Sequence, residues 1–204
     1  MSKGLLIVLS GPSGAGKGTV RQALMERYPD LRYGVSVTTR PKRPHETDGV
    51  HYYFLDREDF LRRRDRGEFV EWAEVYGNFY ATPREPMETW LAEGHDVLIE
   101  KDIQGAMTLK RAYPDACFVF ILPPSLEELR RRITARGSET AEARHQRLAS
   151  ASRELTYLDR YDYAVVNDRV EAAAEKLLAI IKAEKCRVSR QPDLIEKIRS
   201  GGAV

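Results

Sequence analysis

A parallel β-sheet covered by helices, an α/β arrangement, follows from three features of this 204-residue chain. Short apolar runs bounded by turn residues recur: "GLLIVL" (4–9), "HDVLIEKD" (95–102), "ACFVFIL" (116–122) and "YAVVN" (163–167). Segments with helical spacing stand between and after them, from Lys17 to about Tyr28, in "LEELRRRITARG" (126–137) and in the amphipathic "VEAAAEKLLAIIKAEK" (170–185). Such alternation builds βαβ units with helices on both faces of the sheet. The third feature is that the first apolar run passes through a glycine-rich turn straight into the first helix.

Taken in chain order, the first run is a buried strand and Lys17 to Tyr28 its following helix. The stretch from about Tyr33 to Trp90 has a different texture, rich in Tyr, Thr and Arg, with short β patterns such as "EFVEWAEV" (68–75). It reads as a β-rich insert at about 34–93. The strands at 95–102 and 116–122 return to the core, an arginine-dense segment occupies about 126–159, and the last strand and long helix complete the core near 160–190. One domain therefore spans 1–190, its core formed by about 1–33, 94–125 and 160–190. The end, "RQPDLIEKIRSGGAV", reads as a loosely attached tail covering 191–204.

The chain has 42% hydrophobic and 31% charged residues in 23.3 kDa, the balance of a soluble globular domain with one core. A net charge of +2 gives no global field for nucleic acid. No apolar run approaches the ~20 residues of a membrane span. "MSKGLLIVLSG" reads as a strand entering a loop and not as a signal peptide, which makes the expected location cytoplasmic. Cys117 and Cys186 suggest two reduced thiols, with no disulfide framework or zinc site.

The turn "GPSGAGKGTV" (11–20) nearly matches G-x-x-x-x-G-K-[ST]. Residues Gly11, Pro12, Ser13, Gly14, Ala15, Gly16, Lys17, Gly18 and Thr19 form a candidate triphosphate cradle. Its glycines let backbone N–H groups converge on phosphate oxygens, the helix N-terminus adds its dipole, and Lys17 adds a mobile charge. Gly18 stands where the metal-holding hydroxyl belongs. Either Thr19 supplies that hydroxyl one residue later, or Mg²⁺ is held mainly through water.

A second signal is "YGVSVTTRPKRPHETDGVHYYF" (33–54), where Arg40 and Arg43 flank a turn and Tyr52 and Tyr53 follow. Guanidinium groups bond phosphate through paired N–H groups, so this is a candidate anion clamp; on its own a solvated basic loop explains it equally well.

From about residue 4 to 185 the chain resembles the guanylate kinases, through "GPSGAGKGT", "SVTTRPKRPHETDGVHYYF", "FVEWAEVYGNFYAT", "DIQGA", "PPS", "RGSET" and "VVND" in order. The resemblance implies a P-loop NTPase-type sheet with a GMP-binding insert and an arginine-rich lid. It implies that Arg40, Arg43, Tyr52 and Tyr80 hold the GMP phosphate, and that Ser36, Glu71, Thr82 and Asp102 read guanine. It also implies that Arg132, Arg136 and Arg147 close over the ATP phosphates and that Asn167 contacts adenine. Guanine carries an acceptor at O6 and donors at N1 and the 2-amino group, so a carboxylate such as Glu71 suits it and rejects adenine. Arg130, Arg131 and Arg144 match nothing in the pattern and read as solvated.

The implied reaction is ATP with GMP, and dGMP as well, giving ADP and the diphosphate, with Mg²⁺ as cofactor. Nucleic acid and membranes are not expected partners, and the oligomeric state is left open. Two rivals carry the same outline: a phosphopeptide-binding module of this fold that has lost catalysis, and a nucleoside monophosphate kinase with another acceptor. Alternation along "DVLIEKDIQG" sets Glu100 and Asp102 on one face with Lys101 opposite. Lys101 departs from the family pattern, which is apolar there; a structural role is the expectation for it.

Overall fold

Every apolar run named above becomes a strand in the computed structural model, which describes residues 3–75, 77–135, 148, 150–151 and 153–201. The first three are largely buried, while the last is an edge strand with Val165 alone in the core. Among these the strands are β1 (Leu6–Ser10), β2 (Arg32–Tyr33), β3 (Val37–Thr38), β4 (Tyr53–Phe54), β5 (Phe69–Val75), β6 (Asn78–Pro83), β7 (Val97–Glu100), β8 (Cys117–Leu122) and β9 (Tyr163–Val166). The helices are α1 (Lys17–Arg27), α2 (Arg57–Asp65), α3 (Met87–Ala92), α4 (Ile103–Ala112), α5 (Leu126–Ala135), α6 (Val170–Lys185) and α7 (Pro192–Arg199).

The core sheet has the order β2-β7-β1-β8-β9, and each of its pairings is parallel. Successive side chains of β1 point to opposite faces. Ile7 and Leu9 pack with Val20 and Leu24 of α1 and Leu177 and Ile181 of α6. Leu6 and Val8 pack with Met87 and Leu91 of α3 and Ala106 and Leu109 of α4. This removes β1 from water on both sides, and the turn after it is positioned by the central, fully buried strand of the sheet.

The insert is a second, four-stranded sheet of order β4-β3-β6-β5. Its own small core joins Val37, Phe69, Phe79 and Ala81 to Phe60 of α2, with the Phe60 and Phe79 rings stacked 5.0 Å apart. Although α3 lies within the segment expected to be insert, its apolar face packs on the core sheet. A six-residue helix gives too little periodicity for its partner to be read from sequence.

At the amino edge of the core sheet, Asp96 is 2% exposed and accepts hydrogen bonds from Leu5 N, Tyr28 Oη and Lys185 Nζ at 2.8, 2.8 and 2.9 Å. One carboxylate thus ties the ends of α1 and α6 to the starts of β1 and β7. Residues 192–199, expected as loose tail, form α7, because Leu194, Ile195 and Ile198 recur at helical spacing and Pro192 occupies the first turn. None of its residues is buried. Just before it, Arg190 donates to Asp115 O and faces Glu184, a buried carboxylate that also accepts from Tyr163 Oη at 2.5 Å. Cys117 is buried, which pushes its thiol up to about 12, while Cys186 is exposed; both are free. Among the described residues no helix is long and apolar enough to cross a membrane.

Candidate active site

The carboxyl ends of β1 and β7 open into one cleft of about 560 Å³. In an open parallel sheet this is where ligands bind. Gly11, Ser13, Gly14, Gly16, Lys17 and Gly18 line one wall. Ser36, Glu46, His51 and Tyr52 line another, and Glu100, Lys101 and Asp102 lie between them.

The glycine turn has the geometry of a phosphate-binding loop. Gly16 caps α1 with φ 88°, a left-handed conformation that favours glycine, and a Cβ there would collide with Asn167 Nδ2. Gly11, with φ 140°, passes against Ile121 O. Lys17 Nζ folds back over the loop and donates to Gly11 O at 2.6 Å and Pro12 O at 3.3 Å. Thr19 Oγ1 donates to Gly16 O at 2.8 Å, turning towards the loop backbone, and it is Gly18 that lines the cleft. Glu100 Oε2 stands 4.0 Å from where a Gly18 Cβ would lie, so a carboxylate faces the position that lacks the hydroxyl.

Two expected ATP-side residues brace this loop. Asn167, 3% exposed, donates from Nδ2 to Ala15 O at 2.8 Å. Arg132 of α5 donates to Asn167 O at 3.1 Å and Ala15 O at 3.5 Å, while Glu128 one turn earlier accepts from its Nε at 2.7 Å. Leu129 and Ile133 of α5 form a separate apolar cluster with Ala151. Arg136 and Arg147, expected in the lid, lie outside the described residues, as does Arg144.

On the acceptor side Arg40 is held by Glu46, whose two carboxylate oxygens accept from Nη1 at 2.7 Å and Nη2 at 2.5 Å. Arg43 N donates to the same carboxylate at 2.9 Å, and the Arg40 guanidinium lies 5.0 Å from the centre of the Tyr52 ring. Those Arg40 bonds, opposed by burial and helped by Arg43 N, pull the Glu46 carboxyl down to about 2. Tyr52 and Tyr80 meet edge to face at 6.1 Å, and burial raises the Tyr52 phenol. Arg40, Tyr52 and Tyr80 are therefore gathered around one point, whereas the Arg43 side chain is exposed.

In the base-reading group, Glu71 and Thr82 are 7% and 1% exposed and joined by a 2.5 Å bond from Thr82 Oγ1 to Glu71 Oε1. Ser36 lines the cleft. Asp102 lines it too, while its Oδ1 accepts from Gly105 N and caps α4. The expectation that Lys101 points away from Glu100 and Asp102 is wrong. β7 ends at Glu100, so strand alternation stops there, and all three side chains line the cleft. Lys101 is 9% exposed, with Nζ 3.0 Å from Glu71 Oε1.

Sequence reasoning missed Glu46, Arg21, Tyr33 and Glu154. The Arg40–Glu46 spacing of "RPKRPHE" was the one usable signal. The Arg21 guanidinium lies 4.1 Å from the centre of the Tyr33 ring, and burial lifts that phenol to about 12. Glu154 approaches from the segment after α5, and burial raises its carboxyl against the nearby Lys17 charge.

A phosphate-binding loop and an arginine-tyrosine clamp opening on the same cleft define a P-loop phosphotransferase with a small anionic acceptor. The family model described as guanylate kinase matches residues 3–184. A guanylate kinase of Caldanaerobacter subterraneus subsp. tengcongensis is 52% identical over 97% of this chain and 96% of its own length. One of Symbiobacterium thermophilum is 52% identical over 99% and 96%. The crystal structure of guanylate kinase from Anaplasma phagocytophilum superposes with a TM-score of 0.82 at 38% identity, covering 98% of this chain and 96% of that one. The chain belongs to the guanylate kinase family.

Proposed function

We infer that this chain transfers the γ-phosphoryl group of ATP to GMP, and to dGMP, giving ADP and the corresponding diphosphate. The observation that carries the reading is the single cleft shared by the loop of Lys17 and by Ser36, Tyr52 and Lys101. Both substrates then meet without an intermediate carrier. The nucleophile is a phosphate oxygen of GMP, already ionised near neutral pH, so no strong general base is needed. It attacks the γ-phosphorus in line, and the bond to the bridging oxygen breaks with its electron pair leaving on ADP.

The protein's contribution is alignment and charge compensation. Lys17 and the loop N–H groups hold the ATP phosphates. Arg40, kept in place by Glu46, holds the GMP phosphate together with Arg43, Tyr52 and Tyr80. Ser36, Glu71, Thr82 and Asp102 read the base. Arg132 reaches the loop from α5, with Arg136 and Arg147 proposed beside it. Glu100, facing Gly18, would hold Mg²⁺ through water, which fits an ion that sheds water reluctantly and favours hard oxygen ligands. The ion, bound with ATP, offsets the charge of the phosphates.

The proposed setting is the cytoplasm and the proposed partners are free nucleotides. A phosphopeptide-binding module has no use for Lys17 and the loop around it, all present here. An ADP-release assay with GMP, dGMP, AMP, UMP and CMP tests the reading. Turnover confined to the two guanine nucleotides is expected; equal turnover with AMP, or none with any acceptor, refutes it.

A further inference from the structure

A buried ammonium is expensive unless it is paired and hydrogen-bonded, and Lys101 is both. Its Nζ lies 3.0 Å from Glu71 Oε1 and donates to Ser36 Oγ at 2.9 Å, and the side chain lines the cleft. Thr82 Oγ1 donates to that same Glu71 oxygen at 2.5 Å. Ser36 and Glu71 are themselves 8% and 7% exposed, so bulk water does little to reorganise the group.

Each hydroxyl has one proton to give. Thr82 directs its proton at Glu71, so towards a ligand it is an acceptor. Ser36 Oγ accepts from the ammonium, so its proton turns away from Lys101 and Ser36 becomes a donor. Glu71 Oε2 faces Gly105, where a Cβ would stand 3.5 Å away, and remains an acceptor. The wall therefore offers one donor and two acceptors.

We propose that Lys101 is a positioning residue that sets base specificity: by bonding Ser36 and Glu71 it fixes one as a donor and the other as an acceptor for a 6-oxo, 2-amino purine. This rests on the GMP reading above. The 6-amino group of adenine would bring an N–H against the Ser36 proton and the ammonium behind it, an arrangement that leaves buried polar groups unpaired.

The test measures kcat and KM with GMP, IMP and AMP, together with equilibrium GMP binding and thermal unfolding, for wild type, Lys101→Met, Lys101→Arg, Ser36→Ala and the double variant Ser36→Ala/Lys101→Met. Lys101→Met should raise the GMP and IMP KM by about tenfold to a hundredfold, because both carry the 6-oxo group. It should leave the ATP KM within about twofold and narrow the preference for GMP over AMP, whereas a merely structural role would move ATP and GMP together. Lys101→Arg should restore part of the GMP affinity. If Lys101 acts through Ser36, the double variant should show a KM well below the product of the two single effects. If Lys101→Met does not fold, Lys101→Gln, which keeps a donor without the charge, carries the same comparison.

A GMP KM within about twofold of wild type, or strictly multiplicative effects with Ser36→Ala, overturns the proposal. Wild-type protein that neither binds nor phosphorylates GMP overturns the functional reading and this inference with it. Active wild type with an unaltered Lys101→Met variant overturns this inference alone.

Discussion

Replacing Asn167 with alanine should weaken the phosphate loop and leave the choice of donor base unchanged. The family resemblance makes Asn167 an adenine contact, yet its amide is buried and donates to Ala15 O at 2.8 Å. Among the described residues the other side-chain donor to that carbonyl, Arg132 Nη1, sits at 3.5 Å, the limit of a hydrogen bond. Asn167→Ala therefore leaves a buried carbonyl nearly unmet, at about 1–3 kcal/mol. The void left above Gly16 adds on the order of 1 kcal/mol. For a chain of this size the sum corresponds to a melting temperature lower by roughly 4–16 °C. Calorimetry reads that fall. Steady-state kinetics with ATP and CTP as donors should show the ATP KM rising while the ATP-to-CTP ratio of kcat/KM stays within about twofold. A variant with wild-type melting temperature and a collapsed ATP preference would refute the loop-bracing argument and make Asn167 a reader of adenine.

Glu71→Gln turns one acceptor oxygen into a donor facing the guanine N1 and 2-amino edge; GMP kcat/KM should fall about a hundredfold or more with ATP affinity nearly unchanged, as initial-rate kinetics will show. Thr19→Val should barely alter the magnesium concentration needed for half activity, because the Thr19 hydroxyl is turned onto Gly16 O; a large shift in a metal titration would assign it to the ion. Glu46 has its carboxyl depressed from 4.5 to about 2, chiefly by Arg40, so the stability it adds is present above pH 4.5 and is lost as pH falls through about 2. Urea midpoints of wild type and Glu46→Gln should accordingly converge across that window, and a constant gap would show that Glu46 does not titrate with folding.

The core was legible because its signals are local. The runs at 4–9 and 116–122 are apolar almost throughout, as strands buried on both faces must be, and the loop after the first carries its own glycine spacing. Lys17, Arg40 and Tyr52 were legible because their motifs are contiguous. Lys101 was misplaced because alternation is a property of strands, and nothing in "IEKDI" announces that β7 stops at Glu100. Its partners Ser36 and Glu71, and Thr82 bonded to Glu71, come from three separate segments, and long-range pairing of that kind leaves no periodic trace. Glu154 was hidden for the same reason: it enters the cleft from a helical segment whose acids look like ordinary solvated charge.

The position of Asp96 divides the molecule by consequence. The ligand cleft occupies the carboxyl edge of the core sheet, while the carboxylate that ties Leu5, Tyr28 and Lys185 together sits at the amino edge. Damage at that second edge acts on the fraction of chains that stay folded, with little effect on how each folded copy turns over. In a cell such a variant would be depleted by proteolysis while its purified survivors kept normal kinetic constants. A growth screen would therefore score Asp96 and Lys17 alike, and only protein abundance measured beside specific activity would separate a residue that keeps the enzyme present from one that makes it work.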